Sequence, residues 1–295
     1  MQQILVTGGN GLLGYETLKL LSKSNKYHIM AIQRDIEKAQ PLEHVKYIEV
    51  DLAQSNFAAH LPTSIDAVFH LAQSNNFRKF PEMAQDIFAV NTQVTFNLLD
   101  YAYKAGAKKF IFTSTGGIYT GSQPIFIESD GNSFDANAGF YATSKFISEK
   151  LVENYSKLMT TIIFRPFFIY GKRQKHDMLI PRLISNIKNN TEIALDGING
   201  IHINPIHVED AAMALTKSLE LNQSNIFNLG GPERLSLRDL CLIIGNALSK
   251  SVQFATNESK VPRDVVGDIT QLKSLLYTPS IHFKDRINEL IKDEE

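Results

Sequence analysis

The chain has 295 residues, a formal net charge of −1, 43% hydrophobic residues and 21% charged ones. That length admits one large domain, or a large one with a smaller one attached, and the near-neutral balance gives no basis for a nucleic-acid partner. One cysteine, Cys241 in the apolar run "LCLII", excludes a disulfide framework and reads as core; with no long apolar segment and a strand pattern already at Ile4, the expectation is a cytoplasmic protein with no membrane partner.

In chain order, "ILVT" at 4–7 is a short apolar strand. The glycines Gly8, Gly11 and Gly14 follow, and Leu12, Leu13, Thr17, Leu18, Leu20 and Leu21 then trace a helical face. Strands are expected at 28–32, 45–50, 67–72, 109–115 and 160–166, with helices around 84–105 and 141–157. Apolar strands alternating with helices predict an α/β, doubly wound parallel sheet, a Rossmann fold, over residues 1–171. Residues 172–295 are expected to form mainly a smaller C-terminal substrate-binding lobe, with segments returning to the main sheet. They hold a helix in "MLIPRLISNIKN", a strand or loop and then a helix in "IHINPIHVEDAAMALTKSLE", a strand in "IFNLGG", and a helix in "SLRDLCLIIGNALSK" capped by Ser236 with Asp239.

A strand that enters a helix through a tight turn leaves free backbone N–H groups and a positive helix end, which suit a pyrophosphate. Gly8 suits the turn, Gly11 a close cofactor approach and Gly14 close helix–sheet packing. No Walker lysine follows, which disfavours a nucleotide kinase or ATPase. At the second strand end, where an acid would bind the ribose hydroxyls of NAD, the sequence reads "AIQRD". Gln33 offers no carboxylate. Arg34 either pairs with a 2′-phosphate or lies solvated in its loop, and Asp35 opposes it; the balance leans to NADP over NAD. Asp51, after the third strand, is placed for the adenine amino group or for capping a turn.

Tyr141 and Lys145 lie four residues apart on one helix and share a face. A free phenol titrates near 10, and a neighbouring ammonium favours the phenolate that a base near neutrality needs. Thr113, Ser114 and Thr115 stand where the strands of an open α/β sheet end at their ligand, able to bond a substrate oxygen or local backbone.

With these segments in hand, the sequence resembles the extended short-chain dehydrogenase/reductase superfamily, within the NAD-dependent epimerase/dehydratase family. The matching stretches are "TGGNGLLG" at 7–14, "DL" at 51–52, "HLA" at 70–72, Asn91 in "VNTQVTFNLL", "FTSTGGIYTG" at 112–121, "YATSK" at 141–145, "RPFFIYG" at 165–171, "IHVEDAA" at 206–212 and "FNLGG" at 227–231. The resemblance implies cofactor contacts from Gly8, Asn10, Gly11, Leu12, Leu13, Gly14, Asp51, Leu52, Leu71, Ala72 and Asn91, and from Tyr141 and Lys145. It implies a catalytic set of Thr115, Tyr141 and Lys145, with Ser114 the less favoured register for the hydroxyl. His70 matches a strand end beside the cofactor, and no metal is expected.

Several positions depart from the family pattern. Phe168 replaces the asparagine of "RPxNVYG", Ile203 replaces the arginine of "RDYIHV", and Val261 stands near a further arginine position, leaving Lys172, Arg173, Arg182 and Arg263 as replacements toward a diphosphate. Gly116 and Gly117 follow Thr115 where dehydratases carry an Asp–Glu pair, which disfavours elimination of water. The expected function is an NAD(P)-dependent oxidoreductase or epimerase acting on a hydroxyl/carbonyl group of a sugar or nucleotide-sugar. The alternative is a non-catalytic, dinucleotide-binding regulatory or assembly protein. A homodimer is expected through the helix of Tyr141 and the long helix before it. Ile147, Leu151 and Leu158 give the one an apolar side and Ile87, Val94 and Leu98 the other, unless both sides cover the sheet.

Overall fold

The computed structural model describes residues 1–54, 56–132 and 135–293. Its first strand, β1 (Gln2–Thr7), leads through the glycine turn into α1 (Leu12–Ser22), which buries Thr17, Leu18 and Leu21 against the sheet. Strands β2 (Tyr27–Gln33), β3 (Val45–Glu49) and β4 (Ala67–His70) follow. One helical run then spans α2 (Ala84–Phe88), a π-helical turn at Ala89–Gln93 and α3 (Val94–Lys104). Next come β5 (Lys109–Thr113), α4 (Phe140–Asn154), β6 (Thr160–Pro166) and β7 (Ile169–Tyr170).

The C-terminal part contains α5 (Leu179–Lys188), β8 (Ile193–Asp196), β9 (His202–Ile203), β10 (Ile206–His207) and α6 (Val208–Lys217). It continues with β11 (Asn225–Leu229), β12 (Leu235–Ser236), α7 (Leu237–Ala247), β13 (Phe254–Asn257), α8 (Thr270–Leu275) and α9 (Phe283–Asp293). Ser236 and Asp239 form the expected reciprocal cap at the start of α7.

Seven strands make one sheet in the order β11-β6-β5-β4-β1-β2-β3, and every pairing in it is parallel. Chain order reverses between β1 and β4, which opens a crevice at the carboxyl ends of those two strands. Helices cover both faces, so the strands are apolar on both sides: Ile4, Leu5, Val6, Val68, Phe69, Phe110, Ile111 and Phe112 are all buried. A separate apolar cluster around Tyr170, Ile184, Leu195, Ile203, Cys241 and Phe283 is the core of the smaller C-terminal lobe. Among the described residues, no helix is long and apolar enough to cross a membrane.

Two strands end earlier than the sequence suggests. After His70 the backbone turns, and the Ala72 N–H donates to the Thr7 hydroxyl (3.2 Å). After Thr113 the Ser114 N–H donates to the Phe164 carbonyl, and Thr115 caps a short helical turn instead of extending β5. The apolar stripe of Ile87, Val94 and Leu98 is fully buried against the sheet, so it covers the sheet and does not form an exposed dimer side. Ile147 on α4 and Leu158 just beyond it are exposed, while Leu151 packs partly into the core.

Candidate active site

The glycine turn is built so that a side chain would fill it. Gly8 has φ +75°, and a Cβ there would stand 2.7 Å from the Leu71 and Ala72 backbone. At Gly14 a Cβ would lie 2.1 Å from the Gly8 carbonyl oxygen, so α1 can pass this close to the turn only with glycine. The Gly11 N–H closes the turn on the Gly8 carbonyl (2.9 Å), Asn10 and Gly11 are exposed at its tip, and Leu12 and Leu13 open α1.

At the end of β2 the Gln33 side chain is buried and its Nε2 has no hydrogen-bond partner, a donor left for a ligand next to the glycine turn. Arg34 is exposed. Asp35 is committed to its own turn, accepting from the Glu37 N–H and pairing with Lys38. Asp51 accepts from the Ala53 N–H (3.0 Å), which is the turn-capping role, and Leu52 is buried beside it. These residues, with the Leu71 and Ala72 backbone, fit a dinucleotide laid across the crevice.

His70 is sealed beneath the crevice floor. The Thr95 hydroxyl donates to the Asn91 carbonyl (2.6 Å) and so accepts from His70 Nε2–H (2.9 Å), while Thr7 lies 2.8 Å from Nδ1. Burial, then the neighbouring Lys145, lower the imidazole to about 3, so it is neutral and ties β1, β4 and α3 together. Asn91 is also fully buried. It accepts the Ser74 N–H (2.9 Å) and donates to Ser144 (3.0 Å), pinning the loop after β4 to α4. The π-helical turn that carries Asn91 is a common accommodation at functional sites.

Tyr141 opens the face of α4 toward the crevice. Its hydroxyl donates to Gln73 Oε1 (2.9 Å), and its ring lies 5.0 Å from that of Phe77. Burial pushes the phenol up to about 12, and the neighbouring Thr115 hydroxyl pulls the other way. The Gly117 N–H donates to the Thr115 oxygen (3.0 Å), which leaves the Thr115 O–H free to donate. Thr115 is thus the hydroxyl brought to Tyr141. The buried Ser114 hydroxyl has no partner and faces the same region at the strand end.

Lys145, one turn below, is fully buried. Its ammonium donates to the Thr113 carbonyl (2.7 Å) and lies 4.8 Å from the Phe112 ring. Burial lowers its pKa to about 7, against the raising effect of Glu149 one turn further on. Glu149 itself is completely buried in a forked pair with Arg165. Neither Gln73 nor this pair belongs to the set named from sequence. Glu149 carried a signal all the same, standing four residues after Lys145 as Lys145 stands four after Tyr141.

The substrate side is apolar where a diphosphate would want charge. Ile203 is buried in the C-terminal core, Phe168 packs against that core at φ +50°, and Val261 is exposed. Of the alternatives, Lys172 pairs with Glu289 (3.6 Å), Arg173 lies 3.9 Å over the Tyr15 ring, Arg263 donates to the Tyr119 carbonyl, and Arg182 is exposed on α5. At Gly116 a Cβ would stand 2.9 Å from the Phe167 ring, so a side chain at that position would press on the ring. Among the described residues, no group of three or more His, Cys, Asp or Glu side chains is arranged to hold a metal.

The sequence matches the profile of the NAD dependent epimerase/dehydratase family over residues 4–230. It is 27% identical over 281 residues to a mouse dTDP-D-glucose 4,6-dehydratase, covering 90% of this chain and 78% of that one. It is 28% identical to a UDP-glucuronate 4-epimerase of Thermodesulfobacterium geofontis, covering 99% and 95%. The fold superposes on the Bacillus cereus UDP-glucuronic acid 4-epimerase, solved with UDP-glucuronic acid and NAD, with a TM-score of 0.85 at 23% identity over 99% of each chain.

Proposed function

The chain belongs to the NAD dependent epimerase/dehydratase family, and from that membership we propose that it is an NAD-dependent epimerase or oxidoreductase acting on a hydroxyl carbon of a nucleotide-sugar. The observation that carries this reading is Tyr141 and the buried Lys145 one turn apart on α4, with Thr115 beside the phenol, in a sheet whose first strand ends in a glycine cradle. Bound NAD would supply the acceptor for a hydride and its return to either face of the resulting carbonyl. Tyr141 takes the substrate hydroxyl proton as phenolate and gives it back as phenol, and the Thr115 O–H steadies the same oxygen. Lys145, one turn along the same helix, supplies in its ammonium form the positive charge that favours the phenolate once substrate and cofactor are bound.

NAD is assigned over NADP. The lean to NADP rested on Arg34, which is exposed, and the Bacillus cereus relative is named with NAD. Gln33, with its unpartnered amide, supplies a neutral donor for a ribose hydroxyl. Epimerisation is favoured over dehydration because Gly116 and Gly117 leave no acid pair beside the sugar.

The test is incubation with NAD and, separately, UDP-glucuronate, UDP-glucose and dTDP-glucose, read by proton NMR. A second epimer, or an oxidised sugar with stoichiometric NADH, is expected from one of them. No conversion of any of the three would overturn the nucleotide-sugar assignment.

We also propose a homodimer, through the apolar residues that remain outside the fold. Phe88, Phe96 and Tyr103 on α2 and α3 adjoin Ile147 and Leu158 on and just beyond α4, with Tyr103 and Tyr155 in edge contact at 6.5 Å.

A further inference from the structure

Tyr141 has a second polar neighbour that the proposed chemistry leaves unused. Gln73 is exposed, yet its carbonyl oxygen accepts the phenol O–H at 2.9 Å. An exposed glutamine ordinarily wanders, but this one is held. The next residue, Ser74, gives its N–H to Asn91 and its hydroxyl to Asp86. Asn76 donates to the same Asp86 carboxylate (3.2 Å) and to the Ser74 hydroxyl (3.0 Å). Asn91 passes the restraint to Ser144, on the helix that bears Tyr141. Phe77 closes the loop over the Tyr141 ring. On its outer side, Arg78 donates to Asp177 (3.2 Å) and Lys175 to Asn75 (2.9 Å), so the loop also bridges to the smaller lobe.

Around the phenol, the Gly117 N–H donates to Thr115 and the Tyr141 O–H donates to Gln73, and Thr115, beside the phenol, keeps its own O–H to give. A donor such as Thr115 favours the phenolate, whereas a carbonyl oxygen bonds only the protonated phenol.

We propose that Gln73 is a positioning residue for Tyr141, which fixes the direction of the phenol O–H and makes the protonated phenol the resting form until a substrate hydroxyl takes its place. Substrate entry exchanges one hydrogen bond for another at the same oxygen, and ionisation of Tyr141 sends its proton out on the solvent-facing Gln73 side. The charged groups nearby are Lys145 on the same helix, Arg78 with its guanidinium over Phe77, and Lys175 and Asp177 across the loop contact; His70, beneath Lys145, is neutral. Among the described residues, Gln73 is the side chain that hydrogen-bonds the phenol, with Thr115 beside it.

The inference rests on Tyr141 as the proton-transfer group, and its test is independent of turnover. A fluorinated tyrosine at position 141, whose phenol titrates lower than tyrosine's, is followed by fluorine NMR in the full chain against pH. Gln73→Met removes the acceptor at similar volume, and the midpoint is expected to fall by roughly half to one pH unit, the size of one hydrogen bond. Gln73→Glu restores an accepting oxygen with a negative charge, and the midpoint is expected to rise above that of the unsubstituted chain. Lys145 titrates in every variant and cancels in the comparison. An unchanged midpoint in Gln73→Met would overturn the proposal, and so would a raised one, which would mean that the amide N–H₂ serves the phenolate. Should Gln73→Met not fold, an unshifted Gln73→Glu overturns it equally.

Discussion

Arg165 and Glu149 form an ion pair from which water is wholly excluded, with the guanidinium Nη2 2.8 Å from a carboxylate oxygen and both side chains at 0% exposure. The remaining guanidinium donors go to the Tyr119 hydroxyl (2.8 Å) and the Glu128 carbonyl (2.7 Å). Tyr119 passes the chain to Asn228 on the last strand of the sheet. The pair therefore joins α4, β6, β11 and the loop after β5 from behind the catalytic face.

Removing one partner leaves the other charge buried and unpaired, which costs far more than the pair itself contributes. Glu149→Ala is expected to destabilise the fold by about 3–5 kcal/mol in urea unfolding. Replacing both partners with methionine is expected to recover much of that loss, and equal destabilisation in the single and double variants would show that the charge is not the cause.

Tyr141→Phe keeps the ring and deletes the oxygen proposed to carry the proton. Turnover on the substrate identified above is expected to fall by about 10²–10⁴-fold, with NAD affinity unchanged by fluorescence titration. Lys145→Ala is expected to lower both, and Thr115→Ala to cost less turnover than Tyr141→Phe. Full activity in Tyr141→Phe would remove the mechanism.

His70 makes stability depend on acid. Its folded pKa, about 3, lies below the ordinary 6.5, so between these values the unfolded chain alone takes the proton. Stability from this residue is whole above about pH 6.5 and is lost as the pH falls toward 3. At pH 5 the loss is on the order of 2 kcal/mol. Urea midpoints of the wild type and His70→Gln, compared from pH 7 to 5, should show the variant with the flatter dependence.

The proposed dimer uses the exposed aromatic face of α2 and α3. Sedimentation at micromolar concentration is expected to show a species of twice the chain mass, and Phe96→Glu to shift it to the monomer. A monomeric wild type would leave Phe88, Phe96 and Tyr103 without the proposed partner.

Much of this was readable before any coordinates. Strands buried on both faces appear as continuous apolar runs, which is why "ILVT", "HIMAI" and "TTIIFRP" mark β1, β2 and β6 to within a residue or two. The glycine cradle is legible in three glycines placed directly after the first strand of an alternating α/β pattern, and the shared face of Tyr141 and Lys145 in their four-residue spacing. Periodicity could not choose between two apolar stripes on one helix: Ile87, Val94 and Leu98 face the sheet, and Phe88, Phe96 and Tyr103 face outward. Gln73 and Arg165 find their partners 68 and 16 residues away, a distance that local pattern does not encode. α9 is not among the elements read from the sequence: Phe283, Ile287 and Leu290 are spaced four and three apart and all buried, but the charged residues between them mask the stripe.

The strand order has a bearing on how the molecule is made. β6 pairs on one side with β5 and on the other with β11, which arrives some sixty residues later in the chain, its Asn225 opposite Ile162. During synthesis, the dinucleotide-binding half emerges with "TTIIFRP" as a bare, apolar sheet edge, able to recruit a strand from another nascent chain. The closing of that edge by Asn225–Leu229 makes this late segment a guard against aggregation, and the hydrogen bonds from Arg165 to Tyr119 and from Tyr119 to Asn228 tie the buried ion pair to the same strand.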